Sequence, residues 1–421
     1  MKTSLMLSHG PAATGLFVRA LLRIEGAPPA DDATRAPLNL SLVIDRSGSM
    51  HGEPLEAVKS AAQELVKRLH PMDRVSVVAF DDQVQTLAAP GTAADQSGLS
   101  DAISRIQTGG MTNLSAGWLQ GRQLLSTGSK SHEVNRLMLL SDGHANQGIT
   151  AREALTGMAR EAAEAGFSTT TIGVGSGFDE DLMTGMAEAG RGTTYYVESL
   201  DQAVGVFEEE ILGLLSLSAQ NISVSLQPHI DLESCSVLHS WPATPAEDGS
   251  LNITIGDLYA REPRELLIDF RMDRFEAEGP TPIAALTVEA DVLTEDGKME
   301  HRRISLPIEF DPQAGPVTHP EVEKTAILLR AAKARREAIE RADDGDLSGA
   351  REVLREASIL IETSGIHDDE LALESRDLQS FAEEMEAKST FVAEDRKYLR
   401  FMSESTGKGK RGAAQRGRRD R

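Results

Sequence analysis

Between Leu38 and about Leu217, short apolar runs alternate with segments whose apolar residues recur at helical spacing. The runs LNLSLVID (38–45), RVSVVAF (74–80), NRLMLLSD (135–142), FSTTTIGVG (167–175) and TTYYV (193–197) predict strands covered on both faces. The intervening segments predict helices over Pro54–Leu69, Leu99–Ile106, Ser115–Leu125, Ala151–Ala165, Asp179–Glu188 and Gln202–Leu215. In the first of these, Leu55, Val58, Ala62, Leu65, Val66 and Leu69 share one face. Strand and helix in alternation predict a parallel sheet with helices on both sides. QVQTLAA (83–89) follows Phe80 too closely for a crossover, so it predicts an antiparallel edge strand beside 74–80.

The pattern changes on either side of this block. From Ser218 to Asp311 it becomes all-strand: NISVSLQP, SCSVLHSW, LNITIGDL, RELLIDFRM, IAALTVEADVLT and HRRISLPIEF, separated by turn clusters such as Glu295-Asp296-Gly297. That spacing predicts a β-sandwich. Residues 15–26, GLFVRALLRIEG, read as one more strand with no sheet of their own. They are predicted to join the sandwich, which makes the α/β domain an insertion. Glu321–Ala342, Leu347–Thr363 and Asp368–Phe401 predict helices, broken at Asp343-Asp344-Gly345-Asp346 and at Gly365. Asp346 is positioned to cap the second, and the Asp cluster lacks the spacing of a calcium loop. The expected organisation is therefore a strand in 1–37, an α/β domain over 38–217, a sandwich over 218–318, a helical region over 319–402 and a basic tail over 403–421.

Candidate chemistry gathers at strand ends. IDRSGSM closes the first strand of the α/β block and places Asp45, Ser47 and Ser49 two residues apart. Ligands of open α/β sheets bind at that carboxyl edge, where strand order reverses. GGMTNLSAG sets Thr112 in a glycine-flanked loop that opens a helix, and LMLLSDG sets Asp142 just past another strand. Two carboxylates and three hydroxyls are hard oxygen donors, suited to Mg²⁺, Ca²⁺ or Mn²⁺ rather than zinc or copper. Asn113 and Asn146 are placed to orient these loops by hydrogen bonds. His51 and His144 read as rim residues, and Trp118 as a packed aromatic. GVGSG (173–177) lacks the lysine of a nucleotide loop and reads as a strand-ending turn.

A DxSxS after a strand, a threonine in a GGxTN loop and a DG after a later strand resemble the von Willebrand factor type A (VWA) domain and its metal-ion-dependent adhesion site. The resemblance covers about 38–217. It implies a Rossmann-like domain with a metal on its top face, Ser47, Ser49 and Thr112 approaching the ion directly, and Asp45 and Asp142 acting through water. It further implies a protein partner whose Asp or Glu completes the coordination. The function expected is thus divalent-metal-dependent protein binding, and not catalysis. A metal-dependent hydrolase is one alternative. The other is an assembly scaffold with a structural metal, for which the resemblance allows an AAA+ ATPase as partner.

Net charge is −23. An acidic body favours cations and lacks the basic face that grips phosphate backbones, so nucleic acid is not expected as a partner except through the tail. That tail, GKGKRGAAQRGRRDR, has little to bury and is expected to be disordered. The single cysteine, Cys235, precludes an internal disulfide framework. No run of eighteen apolar residues exists and the N-terminus lacks a signal-like apolar run, which makes the cytoplasm the expected compartment.

Overall fold

The computed structural model describes the chain apart from residues 12–14, 28–34, 130–132, 143, 176–177, 198–204, 207–209, 211–212, 231, 261–262, 274–277, 295–297, 389–395, 397–398, 401, 404–405 and 408–421. The expected turn at 295–297, most of the expected helix over 202–215, the end of the GVGSG turn and the tail beyond 407 lie outside the described residues. Two compact units are present. One comprises Pro28–Ile222 with Ala290–Arg302, the other Met1–Ala27, Ser223–Glu289 and Arg303–Arg421.

The first unit holds a six-stranded sheet. Its strands are β3 (Leu38–Asp45), β4 (Arg74–Phe80), β5 (Val84–Thr92), β6 (Val134–Ser141), β7 (Ser168–Val174) and β8 (Arg191–Val197), in the order β5-β4-β3-β6-β7-β8. Every pairing is parallel except β4–β5, the antiparallel edge that the short connection requires. All of β3 is buried, as its mostly apolar sequence predicts of a strand covered on both faces. The helices are α1 (Glu53–Arg68), α2 (Gln96–Ser104), α3 (Leu114–Ser126), α4 (Arg152–Glu164) and α5 (Glu180–Ala189). Helix α3 lies close on the sheet because two of its residues have no side chain: a Cβ at Gly117 would meet the Phe80 ring, and one at Gly121 the Val43 side chain. Trp118, between them, is 1% exposed and its Nε1–H donates to Thr169 Oγ1 at 3.2 Å. It packs with Val78, Phe80, Leu137 and Met183.

Strand β3 is the pivot of this sheet. The chain passes from β3 to β4 on one side, then returns across β3 to β6 on the other. The carboxyl ends of β3 and β6 therefore flank the point where strand order reverses.

In the second unit, β1 (Lys2–Pro11) and β2 (Leu16–Glu25) form an antiparallel hairpin, from Lys2↔Glu25 to Pro11↔Leu16. The expected single strand in 1–37 is thus two. Lys2–Pro11 is half-buried along most of its length and mixes Ser and His with Leu, so it offers no clear alternation to read. Strand β2 pairs in turn with β13 (Arg264–Met272), and β10 (Ser234–Val237) completes a four-stranded sheet. Strands β2 and β13 precede and follow the α/β block in sequence yet are neighbours, so the block is an insertion. The other sheet has the order β11-β12-β9-β14-β15, from β9 (Leu217–Pro228), β11 (Ala243–Pro245), β12 (Leu251–Tyr259), β14 (Thr281–Leu293) and β15 (Met299–Phe310). Along β14, buried and half-buried positions alternate, the signature of a strand with one face on a core.

Helices α6 (Pro320–Asp343), α7 (Leu347–Thr363) and α8 (Asp369–Lys388) follow. Ile327, Leu354, Leu378 and Phe381 belong to their shared core. The turn between α6 and α7 is the capped one expected: Gly345 has φ +85 and Asp346 Oδ1 accepts from Gly349 N at 2.8 Å. The described α8 ends at Lys388, and most of the expected continuation to Phe401 lies outside the described residues.

Candidate metal centre at the sheet switch point

Three loops meet at the carboxyl edge of β3 and β6. The first begins at Asp45, the last residue of β3. Its carboxylate is fully buried; Oδ1 accepts the Ser47 amide at 2.8 Å and Oδ2 the Ser141 hydroxyl at 2.5 Å. These bonds fix both carboxylate oxygens and turn the chain sharply. A short 3-10 turn, Gly48–Met50, then brings Ser47 Oγ and Ser49 Oγ to 3.2 Å from each other. Ser47 is buried and Ser49 exposed, so the hydroxyl pair runs from the interior to the surface.

The second loop precedes α3. Gly48 N donates to Gly110 O at 2.9 Å, and Gly109 N to Arg46 O at 2.7 Å. These two bonds zip the serine loop to the threonine loop. Glycine is needed at 109, because a Cβ there would collide with the Asp81 carboxylate. Thr112 follows, 2% exposed, and Asn113 caps α3 by accepting from Ala116 N at 3.1 Å.

The third loop follows β6. Thr112 N donates to Asn146 Oδ1 at 2.8 Å, while Thr112 O accepts from Asn146 N at 3.1 Å and Gln147 N at 3.2 Å. Asn146 therefore clamps the threonine loop from both directions, and Asn113 and Asn146 do the orienting expected of them. Asp142 is 8% exposed; its Oδ1 accepts the His144 amide at 3.3 Å and its carbonyl the Asp179 amide at 2.9 Å. Gly143 lies outside the described residues. His51 meets Thr108 Oγ1 at 3.3 Å on the rim, and His144 is exposed.

The electrostatics are those of an anionic well. Burial pushes the Asp45 carboxyl up to about 6; hydrogen bonds from Ser141 and Ser47 pull it down, and the nearby Asp142 charge adds to the rise. Neither Asp45 nor Asp142 has an ion pair with Lys, Arg or His among the described residues. Two other residues build the site without having been singled out from sequence. Ser141 is one. Asp81 is the other: it accepts from Gln83 N at 2.8 Å, Gly110 N at 3.1 Å and Arg46 Nη2 at 3.2 Å. Burial raises the Asp81 carboxyl, but those amides and Arg46 outweigh it and hold it below the usual range. Its sequence signal was present, since Asp81 follows the apolar strand RVSVVAF as Asp142 follows RLMLLS.

Comparison with known proteins fits this geometry. Residues 39–209 match the family model described as "von Willebrand factor type A domain". An uncharacterized protein of Synechocystis, sll0103, is 28% identical over 80% of this chain and 82% of its own. YfbK of Escherichia coli is 27% identical over 50% of this chain but 37% of its own, and the Arabidopsis thaliana E3 ubiquitin-protein ligase WAV3 25% over 83% and 48%. The chain thus spans less than half the length of these last two. Among solved structures, a von Willebrand factor type A protein from Catenulispora acidiphila shares the fold with a TM-score of 0.71 at 15% identity, covering 95% of this chain and 96% of that one. The ArnB paralog VWA2 from Sulfolobus acidocaldarius does so at 0.59 and 16%, covering 98% of each. The inserted α/β unit of this chain is a von Willebrand factor type A domain.

Proposed function

We propose that this domain is a divalent-metal-dependent protein-binding module. Asp45, Ser47, Ser49, Thr112 and Asp142 hold Mg²⁺, with Ca²⁺ or Mn²⁺ as substitutes, and a partner's Asp or Glu side chain supplies the remaining oxygen. The observation that carries this reading is the pair of buried carboxylates, Asp45 and Asp142, at the switch point, neither of them ion-paired among the described residues. Burying an unpaired carboxylate costs several kcal/mol (~3 or more). A hard cation offsets that cost, and the adjoining hydroxyls are hard donors too. When bound, the metal supplies an electrophilic centre with an open position for a carboxylate.

The chain's own residues prepare that event. Ser141 and the Ser47 amide fix the Asp45 carboxylate before any ligand arrives. The Ser47–Ser49 hydroxyl pair links the buried carboxylate to the exposed face, where a partner docks. The Gly48–Gly110 and Thr112–Asn146 bonds keep the three loops in register without a metal, so little reorganisation opposes binding. We read this site as one of binding rather than hydrolysis. A cytoplasmic site of action completes the proposal, and no described helix is long and apolar enough to cross a membrane.

The test is affinity capture with the full chain, with and without chelator, beside Asp45→Ala and the exposed-site variant Ser49→Ala. The expected result is a set of bound proteins lost on chelation, restored by Mg²⁺, and diminished in both variants. A bound set unchanged by chelation and by both substitutions overturns the proposal.

A further inference from the structure

A cavity opens beside the serine loop, within the same unit. It encloses about 260 Å³ and its lining includes Arg46, Gln85, Thr86, Leu87, Arg105 and Ile106. That is just below the range of roughly 300–1,000 Å³ that holds drug-sized ligands, so it suits a small polar group. Two arginines line it. This stands out in a chain with 43 Lys and Arg against 66 Asp and Glu, where cations are the scarcer partner.

Neither guanidinium is fully used. Arg46 gives Nη2 to Asp81 at 3.2 Å, but its Nε–H is buried and has no acceptor among the described residues. A buried donor left unmet costs about 1–3 kcal/mol, and structures seldom leave one without a reason. Arg105 follows the last turn of α2 and is exposed; among the described residues its guanidinium has no hydrogen bond or ion pair. Gln85 and Thr86 add an amide and a hydroxyl from the edge strand β5. Planar guanidinium forks match the oxygens of phosphate, and two of them suit a doubly charged anion better than a single carboxylate.

We propose that this cavity is a phosphate-group site, with Arg46 and Arg105 as its paired cationic ligands and Gln85 and Thr86 as polar lining. It is distinct from the candidate metal centre and does not depend on a metal. Because Arg46 lies between Asp45 and Ser47, the two sites share one loop, and a phosphate group on Arg46 sits next to the residues that would receive a partner's carboxylate.

The experiment is calorimetric titration of the full chain in excess EDTA, with inorganic phosphate as the probe and chloride holding ionic strength constant. Acetate serves as the carboxylate control, and an N-acetyl phosphoserine amide as the second phosphate source. Excess EDTA removes any route through a metal, so failure of the metal reading leaves this test intact. The expected result is one phosphate bound per chain, with affinity weakened about tenfold or more in Arg105→Gln. Among the described residues Arg105 has no hydrogen-bond or ion-pair partner to lose, so that variant should keep the wild-type unfolding midpoint. Tighter binding of the phosphoserine amide assigns the site to a phosphorylated side chain, and equal or weaker binding to free phosphate. Absence of phosphate binding to the wild type, equal binding by Arg105→Gln, or acetate binding as well as phosphate would each overturn the proposal.

Discussion

Asp81→Ala is the perturbation that most cleanly separates the loop scaffold from the proposed metal ligands. Asp81 is not in the candidate ligand set, yet it ties the end of β4 to the two loops on either side of it. Its side chain is 5% exposed and accepts from Gly110 N, Gln83 N and Arg46 Nη2. Each hydrogen bond to a charged group is worth about 1.5–3 kcal/mol, though bonds to one carboxylate do not add in full. Removing one partner of a buried ion pair costs about 3–5 kcal/mol. Arg46 is 21% exposed and recovers part of its solvation, so the lower end applies and a loss of about 3 kcal/mol is expected. The assay is urea unfolding followed by Trp118 fluorescence in a Trp241→Phe background. Only Trp118 then reports, and it sits in α3 of the α/β unit, whereas Trp241 lies in the other unit. That separation matters because a chain of two units need not unfold in one step. Mg²⁺ affinity should fall as well, since Gly110 and hence Thr112 lose their anchor. A change below about 0.5 kcal/mol with unaltered Mg²⁺ affinity would refute the reasoning, because it would leave the Asp81 bonds without energetic consequence.

Further outcomes follow from the same contacts. Gly109→Ala should lower the α/β unfolding midpoint and weaken Mg²⁺ binding together, because its Cβ would strike the Asp81 carboxylate; in an Asp81→Ala background the added penalty should shrink, which a double-mutant cycle measures. Trp118→Phe should destabilise the α/β unit by roughly 1–2 kcal/mol through the lost bond to Thr169, read by thermal unfolding. For Asp368, burial raises the carboxyl, but bonds from Lys324 and the Leu371 and Glu370 amides outweigh it and hold it below its ordinary value. Its folded-state value is thus the lower one, so its stabilisation is present above the unfolded value near 3.9 and is lost as pH falls through the folded value. Asp368→Asn should flatten that acid-side decline in hydrogen exchange of α8.

Much of this was legible in the sequence, for physical reasons that differ by element. Strands β3, β4 and β6 are buried on both faces, so their apolar runs stand out from any surrounding pattern. Strand β5 was legible by elimination, since three residues cannot make a parallel crossover. Asp45, Ser47, Ser49 and Asp142 were legible as polar residues at the ends of apolar strands, and Thr112 as a hydroxyl in a glycine-flanked loop that opens a helix. What was not legible depended on distance in three dimensions. Strand β1 is a half-buried edge strand with polar residues on it, and only its pairing with β2 reveals it. Ser141 reads as the last residue of a strand; nothing local says that its hydroxyl meets a carboxylate 96 positions away. Arg46 and Arg105 come to line one cavity only when the fold brings the loop after β3 and the end of α2 to β5.

The central claim is that the switch-point oxygens hold one hard cation. Calorimetric titration of Mg²⁺ into chelator-stripped full chain, beside Asp45→Ala and Ser49→Ala, tests it most directly. The account predicts one site per chain in the wild type, abolished in the first variant and weakened in the second with its fold retained. Mg²⁺ binding of equal affinity in all three proteins, or none in the wild type, would contradict it.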